Sequence, residues 1–531
     1  MKRTFVSLMG LWLVALMPAM GAASKPNIVY ILADDMGVGD VMTLSRRCKI
    51  ATPHLDRLAA EGMTFTDAHS SSSVCTPTRY AILTGRYNWR SRIKDGVCWG
   101  WSRRLIEDGR MTVGSFLQQN GYQTAAIGKW HLGMSWPLKG GGFADDGDTH
   151  QKDFKDAYNV DYFKPVKQGP TTVGFDYFFG ISASLDMPPY VYIRNDQPLV
   201  SKIVTKAFHR NGPADVDFED VDVLPKITEE TVKFIWENAG NAKQGKPFFI
   251  YFPLNAPHTP ISPTKQFAGK SGLNVYGDFV MQVDWTVGQV MAALESSGVS
   301  ENTILVFTTD NGCSPQAKFA ELAEKGHFPS DVYRGHKADI YEGGHRVPFI
   351  VRWPAKVKAG SKSSQTICQT DLFATAAAII GKPHPKDAAE DSVSILPALL
   401  GKDRGPLREA TVHHSINGSF AIRQGRWKLA LCPGSGGWSN PRPGRTDFSG
   451  KPSVQLFDLE SDIGETNNLA EEHPKVVKRL TALLQSYADR GRSTPGPKQE
   501  NTGTVDIEKA GQTSYAAKPP ARRKKPAPKK K

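Results

Sequence analysis

The sequence predicts an α/β protein with a large mixed, mostly parallel sheet sandwiched by helices, and a smaller C-terminal α+β subdomain built on an antiparallel sheet. Three observations support this. Short continuous apolar runs, typical of strands buried on both faces, alternate with helical patterns up to about residue 400. These runs end in polar or charged residues. Beyond that point, alternating runs around short turns indicate hairpins.

The N-terminus predicts a signal peptide. Lys2 and Arg3 precede an apolar run, residues 5–17, and the small residues 21–23 offer a cleavage site. We therefore assign residues 1–23 to the signal peptide and expect export to the periplasm or the extracellular space. A membrane anchor is the alternative, but the run is short for a spanning helix, so we expect no stable membrane insertion.

Four apolar runs predict the central strands: residues 26–33, 123–127, 247–252 and 303–309. Helical patterns lie between them: residues 52–61, 112–120, 228–238 and 277–296. This alternation predicts parallel strands joined by right-handed crossovers, and we assign residues 24–400 to this large domain.

The C-terminal third changes character after a predicted linker at residues 401–406. Residues 420–431 form two alternating runs around a turn, which predicts an antiparallel hairpin. A further strand (454–459) and an amphipathic helix (474–488) complete a subdomain at residues 401–490. From Gly491 to Lys531 the chain is rich in Pro, Gly and Lys, and we predict a disordered basic tail.

The net charge of +13 is concentrated at the C-terminus, because residues 518–531 hold eight Lys or Arg and no acid. Without these eight and the two basic residues of the signal peptide, the formal charge is only +3. The folded body is thus nearly neutral, and we expect no nucleic-acid partner. Binding of a polyanion by the tail alone is the alternative.

The six cysteines are too few for a dense disulfide framework, although a Cys48–Cys98 pair is conceivable. Cys75 is distinctive because it precedes Thr76, Pro77 and an apolar run that reads as a helix start. A helix N-terminus carries free N–H groups and partial positive charge, and Arg79 adds a cation. The stretch therefore suits a tetrahedral oxyanion, although a plain buried cysteine is the alternative.

Hard oxygen donors follow two of the predicted strands. Asp34 and Asp35 end the first strand, and Asp310 and Asn311 end the last. In open α/β sheets, functional crevices lie outside the carboxyl ends of the strands. Three carboxylates and an amide suit Ca²⁺ best and Mg²⁺ second, whereas zinc prefers His or Cys.

Further basic side chains complete the predicted site: two follow the run 123–127, one follows the run 247–252, and one lies in the segment 334–348. They are Lys129, His131, His258 and Lys337. Each alone could be a packing or surface residue. Together with Arg79 and a metal, they would surround a sulfate or phosphate and neutralise charge that develops during ester hydrolysis.

With these motifs in place, the chain resembles the type I sulfatases of the alkaline-phosphatase-like superfamily, among them arylsulfatase A and N-acetylgalactosamine-6-sulfatase. Residues 75–79 match the family's C-x-P-x-R signature, and residues 121–131 match its second signature. The resemblance implies oxidation of Cys75 to formylglycine by a separate maturation enzyme. It also implies that Cys75 joins Asp34, Asp35, Asp310 and Asn311 as a metal ligand.

The resemblance further implies a mechanism. One hydroxyl of hydrated formylglycine attacks sulfur, the leaving alcohol takes a proton from His258 near Lys337, and a covalent sulfo-enzyme results. His131 then acts as the base that releases sulfate. Arg79 and Lys129 complete the sulfate site.

The substrate is predicted from a loop rich in aromatic and basic residues. We propose as substrate contacts Trp99, Trp101, Arg103 and Arg104 from this loop, and His413 from the small subdomain. A packed loop with solvated arginines is the alternative. We predict a sulfated galactose or N-acetylgalactosamine glycan, with two rival functions left open: a phosphomonoester or phosphonate monoester hydrolase of the same superfamily, and a non-catalytic polyanion-binding protein.

Overall fold

The structure is a computed structural model that describes residues 25–145, 154–449 and 451–509. The predicted signal peptide and the basic stretch 518–531 lie outside the described residues. None of the helices in the described part of the chain combines the length and the apolar character needed to cross a lipid bilayer.

The strands are β1 (Asn27–Ala33), β2 (Met63–Phe65), β3 (Ala68–His69), β4 (Gln123–Lys129), β5 (Tyr177–Ile181), β6 (Tyr192–Arg194), β7 (Gln197–Leu199), β8 (Ile203–Ala207), β9 (Asn211–Asp215), β10 (Phe248–Pro253), β11 (Thr303–Thr309), β12 (Phe349–Arg352), β13 (Ser361–Ser363), β14 (Ile367–Cys368), β15 (Thr411–His414), β16 (Phe420–Gln424), β17 (Trp427–Ala430) and β18 (Gln455–Asp458). The α-helices are α1 (Pro53–Ala60), α2 (Cys75–Thr84), α3 (Val113–Gln119), α4 (Val223–Lys243), α5 (Val275–Ser296), α6 (Phe319–Glu324), α7 (Glu342–His345), α8 (Leu372–Ile379), α9 (Leu396–Leu399) and α10 (Pro474–Arg490).

Within the described residues, ten strands form the central sheet, in the order β13-β2-β12-β11-β1-β10-β4-β5-β6-β7. Its centre is parallel, because β1 pairs in parallel with both β10 and β11, and β4 pairs in parallel with β10 and β5. Antiparallel pairs occur towards both edges, such as β11 with β12 and β5 with β6. The predicted mixed, mostly parallel sheet is confirmed.

Both faces of this sheet are buried under helices, which explains why its strands are continuously apolar. Side chains alternate across a strand, so Tyr30 of β1 packs into one hydrophobic core while Val29 packs into the other. Helices α2, α3 and α8 contribute Ile82, Phe116 and Phe373 to the first core. Helices α1, α4 and α5 contribute Leu55, Ile227 and Val283 to the second.

The small antiparallel sheet has the order β15-β16-β17-β18. Its hairpin β16-β17 turns at Gly425, whose φ of 57° lies in the left-handed region that glycine tolerates. The amphipathic α10 packs Leu480 and Leu484 against Ile422 and Leu429 of this sheet. The predicted C-terminal α+β unit is therefore present.

Two expectations need correction. The prediction of a disordered chain from Gly491 is wrong for residues 491–509, because this segment packs on the body, with Arg492 and Ile507 each only 3% exposed. Residues 510–531 lie outside the described residues. The six cysteines all lie within the described residues, where each is a buried thiol outside any disulfide, so the conceivable Cys48–Cys98 disulfide is not formed.

Candidate active site

The four oxygen donors meet because their strands are neighbours in register. Ala33 of β1 pairs with Thr309 of β11, so the residues that follow these two leave the sheet side by side. The backbone N–H of Asp35 donates to Asp310 Oδ1 over 3.3 Å, and Asn311 Nδ2 donates to Asp35 Oδ1 over 2.7 Å. Asp34, Asp35, Asp310 and Asn311 are all at most 2% exposed.

Three cations from three other segments neutralise these carboxylates. Lys129 Nζ, at the end of β4, lies 2.5 Å from Asp34 Oδ2. Lys337 Nζ lies 2.6 Å from Asp35 Oδ1, in the loop before α7. Arg79 Nη2 lies 2.8 Å from Asp310 Oδ2, one turn into α2. Three buried carboxylates thus face three buried cations, and burial together with the charge of Asp34 raises the pKa of the Asp310 carboxyl to about 7.

The protonation states follow from this pairing. Burial alone would raise the pKa of Asp34, but the charges of Lys129, His258 and Arg79 outweigh burial and hold this pKa well below its usual value. Burial also opposes the charge on Lys337, yet Asp35 raises the pKa of the Lys337 ammonium above its ordinary value. Both side chains are therefore ionised at neutral pH.

The residues present fit a divalent metal ion. Asp34 Oδ1 and Asn311 Oδ1 are buried, and neither has a hydrogen-bond partner among the described residues. Buried polar atoms are almost always satisfied, so these two oxygens are suited to coordinate a cation. An all-oxygen donor set with three carboxylates suits Ca²⁺ or Mg²⁺.

Cys75 is the first residue of α2, after the extended Val74. The apolar side chain of Val74 cannot cap the helix, so among the described residues no N-cap side chain accepts from the first-turn N–H groups beside Cys75. Cys75 is 3% exposed, and burial raises the pKa of its thiol. The unmodified side chain therefore stays a thiol, which is a poor nucleophile.

His131 lies two residues beyond β4, with a left-handed φ of 57°. Its Nε2 lies 2.8 Å from the carbonyl oxygen of Cys98, which can only accept, so Nε2 carries the proton. Its Nδ1 is buried without a hydrogen-bond partner in the described part of the chain. Burial and the charge of Lys129 hold the pKa of His131 well below its usual value, so Nδ1 is available to accept a proton.

His258 follows β10 and contacts both Asp35 and the loop after β5. Its Nε2 lies 3.6 Å from Asp35 Oδ2. Its Nδ1 lies 2.6 Å from the carbonyl oxygen of Thr259 and 3.3 Å from Ser184 Oγ. Because the carbonyl accepts the Nδ1 proton, Nε2 is the atom left for chemistry in the crevice.

The residues predicted to contact the substrate differ in how exposed they are. Trp99 is half-buried, and Arg103 is exposed, with its Nε 3.8 Å from Asp145. The Arg104 side chain is mostly buried and pairs with Asp108. Trp101 is 6% exposed and belongs to the hydrophobic core, where its Nε1 donates to the Tyr162 hydroxyl. The prediction that Trp101 contacts the substrate is therefore wrong, because its ring is not available for stacking on a sugar.

The placement of His413 at the pocket rim is also wrong. His413 is fully buried, and its ring stacks on that of His345 with centroids 3.8 Å apart. Both of its nitrogens are engaged, with the Ser70 carbonyl and the Thr411 hydroxyl. His413 thus belongs to the packing between the small sheet and the loop that leads to Cys75.

Sequence reasoning missed three side chains near His258: Ser184, Asp186 and Arg210. Ser184 Oγ lies 3.2 Å from Lys129 Nζ, and Asp186 pairs with Arg210. Residues 184–186 follow the carboxyl end of β5, which pairs in parallel with β4. The apolar run of β5 was the available signal, because it marks another strand end in the same crevice.

Comparisons with known proteins agree with this geometry. The sulfatase family profile matches residues 26–382. An N-acetylgalactosamine-6-O-sulfatase of Bacteroides thetaiotaomicron is 35% identical over 88% of this chain and 94% of its own length. Human arylsulfatase A is 30% identical over 92% of this chain and 93% of its own.

A solved structure from work on the metabolism of multiple glycosaminoglycans by Bacteroides thetaiotaomicron shows the same fold. Its TM-score is 0.74 at 34% identity, and the match covers 87% of this chain and 99% of the other. With a family match over most of its length and the signature cysteine beside a cluster of buried carboxylates and cations, the chain belongs to the type I sulfatases of the alkaline-phosphatase-like superfamily, which hydrolyse sulfuric esters.

Proposed function

We propose that this enzyme removes sulfate from a carbohydrate of the galactose or N-acetylgalactosamine type. The observation that carries the proposal is the position of Cys75 at a buried helix N-terminus, close enough to Lys129, Lys337 and Asp310 to interact with their charges. The Bacteroides relative named for an N-acetylgalactosamine sulfate supports a sugar as the alcohol part of the ester.

We further propose that a maturation enzyme converts Cys75 to formylglycine, whose hydrate carries the attacking hydroxyl. Asp34, Asp35, Asp310 and Asn311 would hold a divalent ion, with Ca²⁺ ranked before Mg²⁺ and Cys75 as an additional ligand after conversion. Such an ion supplies positive charge that polarises the nucleophile and the sulfate oxygens.

The chain's own cations and histidines then have separate roles. Arg79, Lys129 and Lys337 are fixed in place by carboxylates, so they can neutralise sulfate oxygens without reorganising. In its imidazolium form, with the Nδ1 proton donated to the Thr259 carbonyl, His258 gives its second ring proton, on Nε2, to the departing alcohol. His131 Nδ1 is buried and has no partner among the described residues. It takes the proton of the second hydroxyl of the formylglycine hydrate, so that the aldehyde forms again and sulfate leaves.

Export through residues 1–23 to the periplasm or the extracellular space completes the proposal. Sulfated polysaccharides are large and highly charged, so an enzyme that meets them intact has to be exported. The proposed signal peptide provides that route.

Mass spectrometry of the peptide that spans Cys75, combined with assays on sulfated mono- and oligosaccharides, tests the proposal. Protein made with the maturation enzyme should show the mass of an aldehyde in place of a thiol and should release sulfate. Cys75→Ser protein made in the same way should be inactive. Full activity of the Ser variant would contradict the proposed nucleophile.

Two further assays address the rival functions. If the enzyme hydrolyses an aryl phosphate faster than the matching aryl sulfate, the result would favour a phosphoesterase. Removal of residues 510–531 should leave sulfate release intact, whereas a protein that acts only as a tail-mediated polyanion binder would lose its function.

A further inference from the structure

Three chain segments meet beside His258, on the side of Ser184. They are the loop that contains Trp99, the loop 184–189 after β5, and the turn between β8 and β9 that carries Arg210. The first two touch, because a Cβ on Gly100 would come within 1.8 Å of the Pro188 carbonyl oxygen. We call Trp99, Asp186 and Arg210 the hydroxyl cluster.

Asp186 is a buried carboxylate whose hydrogen bonding is incomplete. Arg210 Nη1 donates to its backbone carbonyl over 2.9 Å and also to its Oδ2. Its Oδ1 has no hydrogen-bond partner in the described chain, although the residue is only 7% exposed. Burial opposes ionisation, but the nearby His258 and Arg210 hold the pKa of Asp186 below its ordinary value, so the group is a carboxylate.

Arg210 and Trp99 add donors beside this acceptor. The Arg210 guanidinium lies over the Trp99 ring, 5.0 Å from its centroid. Only Nη1 of Arg210 is engaged by a hydrogen bond within the described residues, and the side chain is 30% exposed. Trp99 Nε1 is buried, likewise without an acceptor among the residues described. Free donors thus flank a free acceptor.

This combination of groups fits a neutral polyhydroxylated ligand. A sugar hydroxyl both donates and accepts, so it can donate to a carboxylate and accept from a guanidinium or an indole. A second sulfate is less suited, because Asp186 already neutralises Arg210. The cluster also lies near His258, because His258 contacts Ser184, two residues before Asp186, and interacts with the charge of Asp186; in the proposed mechanism His258 faces the departing alcohol.

We propose that the hydroxyl cluster binds the sugar ring that carries the scissile sulfate, with Asp186 accepting from the free hydroxyl nearest to the sulfated carbon. This inference rests on the proposed carbohydrate function. For a hexose 6-sulfate, that hydroxyl is O4, which is axial in galactose and equatorial in glucose. Asp186 and Arg210 therefore determine the choice of sugar.

Steady-state kinetics of Asp186→Ala and Arg210→Gln test the proposal on three probes. The probes are N-acetylgalactosamine 6-sulfate, its 4-deoxy analogue and 4-nitrophenyl sulfate. A lost hydrogen bond to a charged group corresponds to about a 10- to 100-fold decrease in kcat/KM on the parent sugar. We expect a loss at least about tenfold smaller on the 4-deoxy sugar and the aryl ester, which lack that hydroxyl.

Asp161→Asn is the matched control, because it removes the charge of a half-buried carboxylate that pairs with Lys164 at 3.2 Å. It should not change the ratio of sugar to aryl activity, and thermal unfolding should show that all variants are folded. Equal losses on all three probes, or no loss on the parent sugar, would overturn the assignment of Asp186. Failure of the wild-type enzyme to cleave any sugar sulfate while it cleaves the aryl ester would instead overturn the proposed carbohydrate function, and the inference with it.

Discussion

The position of Cys75 depends on hydrogen bonds from distant parts of the chain. The Ser73 amide donates to the His414 carbonyl over 3.0 Å, and Ser72 Oγ donates to the same oxygen over 2.9 Å. The Ser73 carbonyl accepts from the Ala338 amide over 2.8 Å. The small sheet and the Lys337 loop therefore both hold the segment that leads into α2. Local sequence alone would not fix Cys75 against the carboxylates.

Replacing Lys337 by Ala should reduce kcat by about 100- to 1,000-fold, because it removes a fixed positive charge from the sulfate site. The change also leaves Asp35 without its closest cation. The measurement is turnover of an aryl sulfate by protein whose folding is checked by circular dichroism. Lys362→Ala, on exposed β13, is the control and should behave as wild type. A folded Lys337→Ala protein with normal kcat would exclude Lys337 from catalysis.

A second buried ionic cluster lies outside the catalytic crevice. Lys428 Nζ lies 2.7 Å from Glu465 Oε1 and 3.1 Å from Glu342 Oε1. Burial, together with the neighbouring charge of Glu342, raises the pKa of Glu465 to about 7 despite the opposing charge of Lys428. Folded Glu465 therefore keeps its proton at pH values where the unfolded chain has released it.

This difference predicts that the contribution of Glu465 to stability falls as pH rises from about 4.5 to about 7, because the folded state binds the extra proton. Glu465→Gln should remove that contribution. The free energy of unfolding of this variant minus that of wild type should increase by about 1–3 kcal/mol from pH 5 to pH 8, because only the wild type loses stability over this range. Denaturant unfolding at several pH values measures the effect. A constant difference between the two proteins would contradict the raised pKa.

At the level of secondary structure, α1 receives its N-terminal hydrogen bonds from another helix. Thr52 precedes α1 but does not cap it through its side chain. Instead, Asp284 of α5 accepts from the His54 amide over 3.2 Å and from the Leu55 amide over 2.8 Å. The start of α1 is therefore tied to the packing of α1 on α5.

Asp284→Ala should lower the free energy of unfolding by about 1–3 kcal/mol, because it leaves the N–H groups of half-buried His54 and buried Leu55 without their acceptor. Glu295→Ala is a close control. It removes the exposed contact of Glu295 with Arg57 between the same two helices and should change stability by less than about 0.5 kcal/mol. Urea titration compares the two, and equal effects would argue against Asp284 as the cap.

At the level of the whole molecule, the segment 491–509 ties the C-terminal helix to the large domain. The buried Arg90 pairs with Asp391 over 2.8 Å and donates to Asn501 Oδ1 over 2.9 Å. The Thr502 amide donates back to the Arg90 carbonyl over 2.7 Å. Arg90 lies shortly after α2, the helix that begins at Cys75, so these contacts join the C-terminal segment to the part of the large domain that carries the catalytic cysteine.

Truncation after Arg490 should therefore destabilise the protein by about 2–4 kcal/mol, since it removes the contacts of buried Arg90 with Asn501 and Thr502 and exposes the surface under Ile507. Truncation after Lys509 should change neither stability nor activity. Thermal unfolding and aryl sulfatase assays on both proteins check this. Equal stability of the two truncations would show that residues 491–509 are dispensable.

The sequence by itself determined the strands and the polar residues at their ends. Continuous apolar runs such as β1 and β11 are local patterns, and a parallel sheet must bring their carboxyl ends together. Asp34, Asp310, Lys129 and His258 could thus be assigned to one crevice from the order of residues alone.

Only the tertiary structure decided which side chains are exposed and which distant ones meet. Trp101 and His413 are buried because other segments pack over them, and no local pattern records that burial. The pairing of Asp186 with Arg210 joins a strand end to a hairpin turn, so it depends on how the chain folds back. The ordered segment 491–509 likewise owes its structure to contacts with Arg90, which its own composition does not reveal.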